Sequence, residues 1–290
     1  MLPAKLRRNL VSWLYISPLL LVILPFFLLP ILVVVVASVF ETDGFGGIIP
    51  TFTLDNYAAI LSSSLTLNLY YSTIKFTFLT WLFSLILGFL IAYFLAFHVR
   101  NKLLGIGLFL LCTVPFWTSN VIRMISWIPL LGKEGLINRA LMGVGVVQQP
   151  IEALLYSDLA VVIAYVHQLT IFMIVPIFNS MARIDKRVVE AAVDAGASRF
   201  DIMRLIIIPL SKSGIALGSI FVIAVVMGDF FVVKVMSGGG SASVVGAFYE
   251  DIGVLQYPPA AASAVLLTVV LMAVIGVILR TVNIRKELTQ

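Results

Sequence analysis

The sequence predicts an all-α integral membrane protein with six transmembrane helices. Three observations predict it. Hydrophobic residues make up 61% of the 290 positions and charged residues 11%, where a soluble domain carries about 25% charge. Six apolar segments are each long enough to cross a hydrocarbon core of about 30 Å. The cations gather on the segments that an even number of crossings puts on one side. With a mean hydropathy of +1.11, lipid must serve as a second solvent.

The expected spans run in order over residues 13–39, 70–97, 103–121, 159–182, 214–236 and 260–279. The first begins at Trp13 and carries Pro18, Pro25 and Pro30, so it is expected to be kinked or broken. It follows Lys5, Arg7 and Arg8 as a signal peptide would, but its apolar run exceeds a cleaved h-region of about 7–15 residues, and it reads as a retained span. Spans two and three form a hairpin across a short turn at Arg100 and Lys102. The third meets Pro115, then Pro129, and its end past Arg123 stays open. The segment Thr42–Leu69 is polar, with Gly44, Gly46, Gly47 and Pro50, and Gly132–Ser157 has the composition of short interfacial helices. One side collects Lys5, Arg7, Arg8, Arg100, Lys102, Arg183, Lys186, Arg187, Arg199, Arg204, Lys212, Arg280, Arg285 and Lys286, fourteen of nineteen cations. That asymmetry places both termini in the cytoplasm.

The +5 net charge therefore reports topology, not nucleic-acid binding. Cys112 stands alone and reads as buried and inert. With only His98 and His167 beside it, no metal-site spacing exists. No Ser/His/Asp set or nucleophile motif supports an enzyme. A phosphate-binding Gly-x4-Gly-Lys-Ser/Thr loop is also absent: Gly132-Lys133 lacks the rest of it. No cofactor is expected on this chain.

The inner loop, residues 183–213, is the longest on the cation-rich side. Ile184 to Ala195 has helical composition, and Val188, Ala191, Ala192 and Ala195 can share one face. Asp185 is placed to cap its start, and Gly196 to end it in the left-handed conformation. A second helix is expected from Ser198 or Arg199 toward Pro209. Two short helices joined at a glycine make a compact knob whose small residues admit close approach by another protein.

These residues resemble the signature of permeases of ATP-driven, binding-protein-dependent (ABC-type) importers: Glu-Ala-Ala, three residues, Gly, nine residues, Ile, one residue, Leu-Pro. Here Glu190-Ala191-Ala192, Gly196, Ile206 and Ile208-Pro209 fill it, with Ile208 in place of Leu. The resemblance implies a type I importer permease fold with the loop docked in a groove of an ATPase subunit. Glu190 would make polar contacts there, Gly196 the sharp turn, and Pro209 the re-entry into the bilayer. It also implies a bacterial inner-membrane complex. The chain would join a second permease, related but not identical, two ATPase subunits that bind the ATP and Mg, and an extracytoplasmic solute-binding protein.

Val114–Asn138 looks like the spermidine/putrescine branch, through Pro115-Phe116-Trp117, Arg123, Trp127, Leu131-Gly132 and Gly135. Gly228-Asp229-Phe230 and Gly238-Gly239-Gly240 fit too, although permeases for iron, sulfate and opines share parts of this pattern. A polycation path needs carboxylates and aromatic faces. Asp229 is the only acid well inside an expected span, in its outer half, either lining the path or paired with Lys234 or Lys75. Trp117, Trp127, Tyr249, Glu250 and Asp251 are the other candidates, each equally an interfacial aromatic or a solvated loop residue. Lys75 and Arg123 argue against an all-cation path unless they are paired or face a partner, and His167 reads as a hydrogen-bonded core residue. The rival readings are weaker. A mitochondrial-type carrier would need three Pro-x-Asp/Glu-x-x-Lys/Arg repeats, which none of the twelve prolines begins. A secondary transporter would need a coupling-ion carboxylate cluster within the spans.

Overall fold

The computed structural model describes residues 15–43, 45–99 and 101–282. Trp13, Gly44 and Arg100, with the terminal cations Lys5, Arg7, Arg8, Arg285 and Lys286, lie outside the described residues. The described chain is almost entirely helical. Four helices are long and apolar enough to span a membrane, and two bent pairs raise the number to six if each pair is one span. The described residues divide into two compact units, those within 1–64 and 247–268, and those within 65–246 and 269–290.

In the first unit, α1 (Tyr15–Ala37) has none of its residues buried within the chain. Of the kink or break expected there, the break does not occur: the helix is continuous. Pro25 clashes with the carbonyl four residues back, and the turn Leu24–Leu28 widens to a π-turn that makes room for it. A two-stranded antiparallel hairpin follows, β1 (Phe40–Thr42) and β2 (Ile48–Phe52), with Glu41 opposite Ile49. Asp43 holds its tip, accepting from the amides of Phe45 at 2.8 Å and Gly47 at 2.7 Å. Helix α2 (Asp55–Ser62) closes back on the end of α1: Asn56 Nδ2 donates to the carbonyls of Ser38 and Phe40, and Tyr57 Oη lies 2.7 Å from Ser38 Oγ.

The second unit is built around a single helix. In chain order the unit holds α3 (Ser64–His98), α4 (Lys102–Thr113), α5 (Asn120–Ile125), α6 (Ile128–Leu131), α7 (Leu136–Gly143) and α8 (Asp158–Met181). After these come α9 (Lys186–Asp194), α10 (Arg199–Leu210), α11 (Lys212–Met227) and α12 (Phe231–Met236); α13 (Val244–Gly253) and α14 (Tyr257–Thr281) each have residues in both units, with 247–268 in the first. The central helix is α8, with 56% of its apolar window buried, the highest of the long helices. It presents Ala160, Val161, Ala164, Tyr165, Met173 and Ile177 to the core. Helix α3 meets this core through a row of small buried residues, Thr73, Thr77, Thr80, Ser84, Gly88 and Ala92. Without a hydrophobic drive between helices in lipid, such small faces let backbones approach and gain dispersion contacts.

The expected third and fifth spans are both broken. Instead of one helix to Val121, α4 ends in a tight turn over Val114–Trp117. Pro115 sits in that turn, Thr118 is extended, and the chain bends by 95° into the segment beginning at α5. Instead of one helix over 214–236, α11 stops at Met227 and α12 restarts at Phe231. The extra-membrane segment after α6 does contain a short helix, α7. The fully buried Asn138 staples it, bonding the carbonyls of Gly132 and Ile151 and the amide of Ile151.

Candidate functional site

The loop between α8 and α11 forms two capped helices. Asp185 accepts from the amide of Arg187 at 3.0 Å and starts α9. Gly196, at φ +83°, ends it. The amide of Gly196 bonds the Val193 carbonyl at 2.9 Å and that of Ala197 bonds Ala192 at 3.0 Å, which is the Schellman arrangement that requires a left-handed residue at this position. One residue later Ser198 and Asp201 form a reciprocal capping box that starts α10. The two helix ends are thus joined through Ala197 alone, with the amides of Gly196, Ala197, Ser198 and Asp201 each given a partner.

Packing orients this pair. Val189, Ala192 and Ala197 rest on the main core, as do Ile202 and Ile207 of α10. The face expected from Val188, Ala191, Ala192 and Ala195 is therefore split. Ala192 turns inward, while Val188, Ala191 and Ala195 stay exposed beside Glu190. The outer surface of the knob is small, apolar at Val188, Val193 and Phe200, and uncovered by its own chain. Pro209 lies in the last turn of α10, just ahead of a 67° bend into α11.

Asp229 occupies the break between α11 and α12. Its Oδ1 accepts from the Val232 amide at 2.9 Å and from Tyr165 Oη at 3.1 Å. Among the described residues Oδ2 has no hydrogen-bond partner, and neither of the expected ion pairs forms. Lys75 is instead 2.5 Å from Asp158, whose other oxygen accepts from Ser241 Oγ at 2.7 Å. Gly228 supplies the end of one helix and Asp229 the cap of the next, so the sequence itself explains the interruption. Nothing in the sequence pattern pointed to Tyr165, 1% exposed, as the partner of Asp229. An aromatic in an apolar helix reads as packing.

The Lys75–Asp158–Ser241 chain pins the glycine-rich loop after α12 to the start of α8. Because the two charged side chains are 31% and 44% exposed, Lys75→Met is expected to lower stability by no more than about 1 kcal/mol. Thermal unfolding of the purified protein measures this. Lost transport at unchanged stability would instead put Lys75 in the solute's route.

The remaining candidates are dispersed. Trp117 is 83% exposed and lines a cavity of about 640 Å³ with Phe116, Phe172 and Phe221. Trp127 donates to His167 Nδ1 at 3.1 Å, so it orients that imidazole. Tyr249, Glu250 and Asp251 belong to α13, in the first unit. Burial, with Glu250 beside it, pushes the Asp251 carboxyl above its usual range.

Residues 84–287 match the family described as binding-protein-dependent transport system inner membrane component. The spermidine/putrescine transport system permease protein PotB of Escherichia coli K12 is 34% identical over 248 residues, covering 85% of this chain and 88% of that one. PotB of Salmonella typhimurium SL1344 is likewise 34% identical, with 85% of each chain covered. In fold, the chain is similar to a chain of a bacterial alginate ABC transporter crystallised with its alginate pentasaccharide-bound periplasmic protein. The TM-score is 0.73 at 15% identity, with 94% of each chain covered.

Proposed function

The chain belongs to the binding-protein-dependent importer permeases, multi-pass proteins of the inner membrane, and from that premise we propose that it carries polyamines, spermidine or putrescine, across that membrane. The relatives' 34% identity over most of both chains supports the solute. One observation carries the coupling role: the capped, rigid knob of α9 and α10 leaves Glu190, Val188 and Ala191 uncovered. A docking surface joined directly to two spans transmits a rigid-body push that a flexible loop would absorb.

In this reading both termini and the knob are cytoplasmic. A second permease completes the path, two ATPase subunits dock on the knobs, and a solute-binding protein delivers the polyamine from outside. ATP and Mg belong to the ATPases. Glu190, Ala191, Ala192 and Gly196 form the docking surface, and Pro209 turns the chain back into the bilayer. Asp229 is the carboxylate of the path, held by Tyr165 through one oxygen and offering the other to an ammonium group. Trp117 contributes an aromatic face, and Tyr249, Glu250 and Asp251 a cation-attracting entrance.

Uptake of radiolabelled spermidine and putrescine by cells expressing the intact system tests this. Saturable uptake is expected, with Asp229→Asn lowering the apparent affinity about tenfold, equivalent to about 1.4 kcal/mol. Transport of another solute in its place would remove the polyamine assignment. Full uptake by the Asp229 variant would reduce that residue to the cap of α12.

A further inference from the structure

Arg123 is 7% exposed, and its Nε is buried without a hydrogen-bond partner among the described residues. Its other nitrogens reach only neutral acceptors, Asn120 Oδ1 and, at 3.5 Å, the carbonyl of Gln168. No described carboxylate forms an ion pair with it. Beside it stands a second donor. Since His167 Nδ1 accepts from Trp127, the neutral ring keeps its proton on Nε2, and that N–H has no partner among the described residues. His167 and Asn120 are exposed on the chain's own surface.

Depth makes this arrangement costly. His167 and Gln168 are the tenth and eleventh residues of the 24-residue α8, near the middle of a helix about 36 Å long. Polar side chains at that depth face protein or a water-filled cavity, not acyl chains. A fixed cation there needs an anion close by. The cluster has donors in surplus, from Arg123, His167 and Asn120, and among the described residues no acid pairs with it.

We propose that this face is a contact with the second permease, which supplies a carboxylate opposite Arg123 and His167. The proposal rests on the transport reading above. It also serves it, since neutralising Arg123 removes a positive charge from the surroundings of a polycation's path. Trp127 acts as a positioning residue, fixing the imidazole so that Nε2–H points outward to the shared carboxylate.

The test uses the intact transporter, with Cys112→Ser removing the only cysteine and His167→Cys introducing a reporter. A lipid-soluble methanethiosulfonate is expected to label the reporter in this chain purified alone in detergent, and to be excluded from the purified complex with the second permease. In parallel, Arg123→Gln is expected to recover about tenfold less second permease on co-purification, with Arg123→Lys intermediate. Equal labelling with and without the partner overturns the proposal, as does full recovery by Arg123→Gln. The labelling arm keeps Arg123, so it decides even if Arg123→Gln fails to insert. Polyamine uptake with a freely labelled reporter defeats this inference and leaves the transport reading standing. A transporter without a second permease defeats both.

Discussion

Gly214→Val is expected to destabilise the folded protein by about 3 kcal/mol and to remove most of its transport. A Cβ at Gly214 would lie 2.3 Å from the Pro176 carbonyl oxygen, 2.7 Å from Ser180 Cβ and 2.9 Å from Ile177 Cα. Two of these neighbours are backbone, so no rotamer change relieves the contact, and α11 must move off α8. Overpacking a fitted core costs about 1–3 kcal/mol and sometimes more; a clash with backbone on the central helix belongs at the top of that range. Gly218, one turn further along α11, repeats the contact less severely. Its Cβ would meet Met173 Sδ at 2.7 Å and Met173 Cα at 3.2 Å, and the thioether can swing away. There is a reason for the crossing to be here. Pro176 has no N–H for the Phe172 carbonyl, and that oxygen lies 3.3 Å from the Cβ position of Gly218. A glycine lets α11 come close to this carbonyl, which Pro176 cannot serve as a donor. Gly276→Ala, with nothing within 4 Å, is the matched control. Membrane abundance and the unfolding midpoint of purified protein should fall in the order Gly276→Ala, Gly218→Ala, Gly214→Val. A Gly214→Val protein with wild-type stability would mean that the α8–α11 crossing does not hold the unit together.

These contacts mark where the sequence stopped being informative. Apolar length marked four of the expected spans as long apolar helices, since lipid imposes that length on each segment separately. The knob's caps were equally local: Asp185 and Gly196 act within a few residues of themselves, and both are found in the expected conformations. Long-range pairings have no such signature. Asp229 was visible as an acid in an apolar run, yet both expected partners, Lys234 and Lys75, gave way to Tyr165. Lys75 was claimed by Asp158 across 83 residues of sequence. The bends show a middle case. Pro115 and Gly228-Asp229 announce breaks, but only packing decides between a kink and the 95° turn that carries Arg123 to Gln168. Pro25 gives the opposite lesson, because a single π-turn absorbed it.

Glu190→Ala is expected to stop ATP-driven uptake while leaving the protein's stability unchanged. Glu190 is exposed and, among the described residues, bonded to nothing in its own chain. Removing such a side chain alters folding by no more than about 0.5 kcal/mol. Whatever is lost must therefore be lost at a partner, and the expected readout is about tenfold weaker co-purification of the ATPase. Gly196 separates the shape of the knob from its surface. Its surroundings are open, with nothing within 4 Å of a Cβ, so substitution there brings no clash and acts only through φ +83°. The left-handed conformation costs about 1–2 kcal/mol for ordinary residues, less for asparagine, and most for β-branched ones. Uptake should accordingly fall from Gly196→Asn to Gly196→Ala to Gly196→Val, without a matching fall in membrane abundance. That order would mark a turn held for its geometry. If valine and asparagine behaved alike, the angle between α9 and α10 would not matter to the ATPase, and the knob would be a contact surface and not a lever.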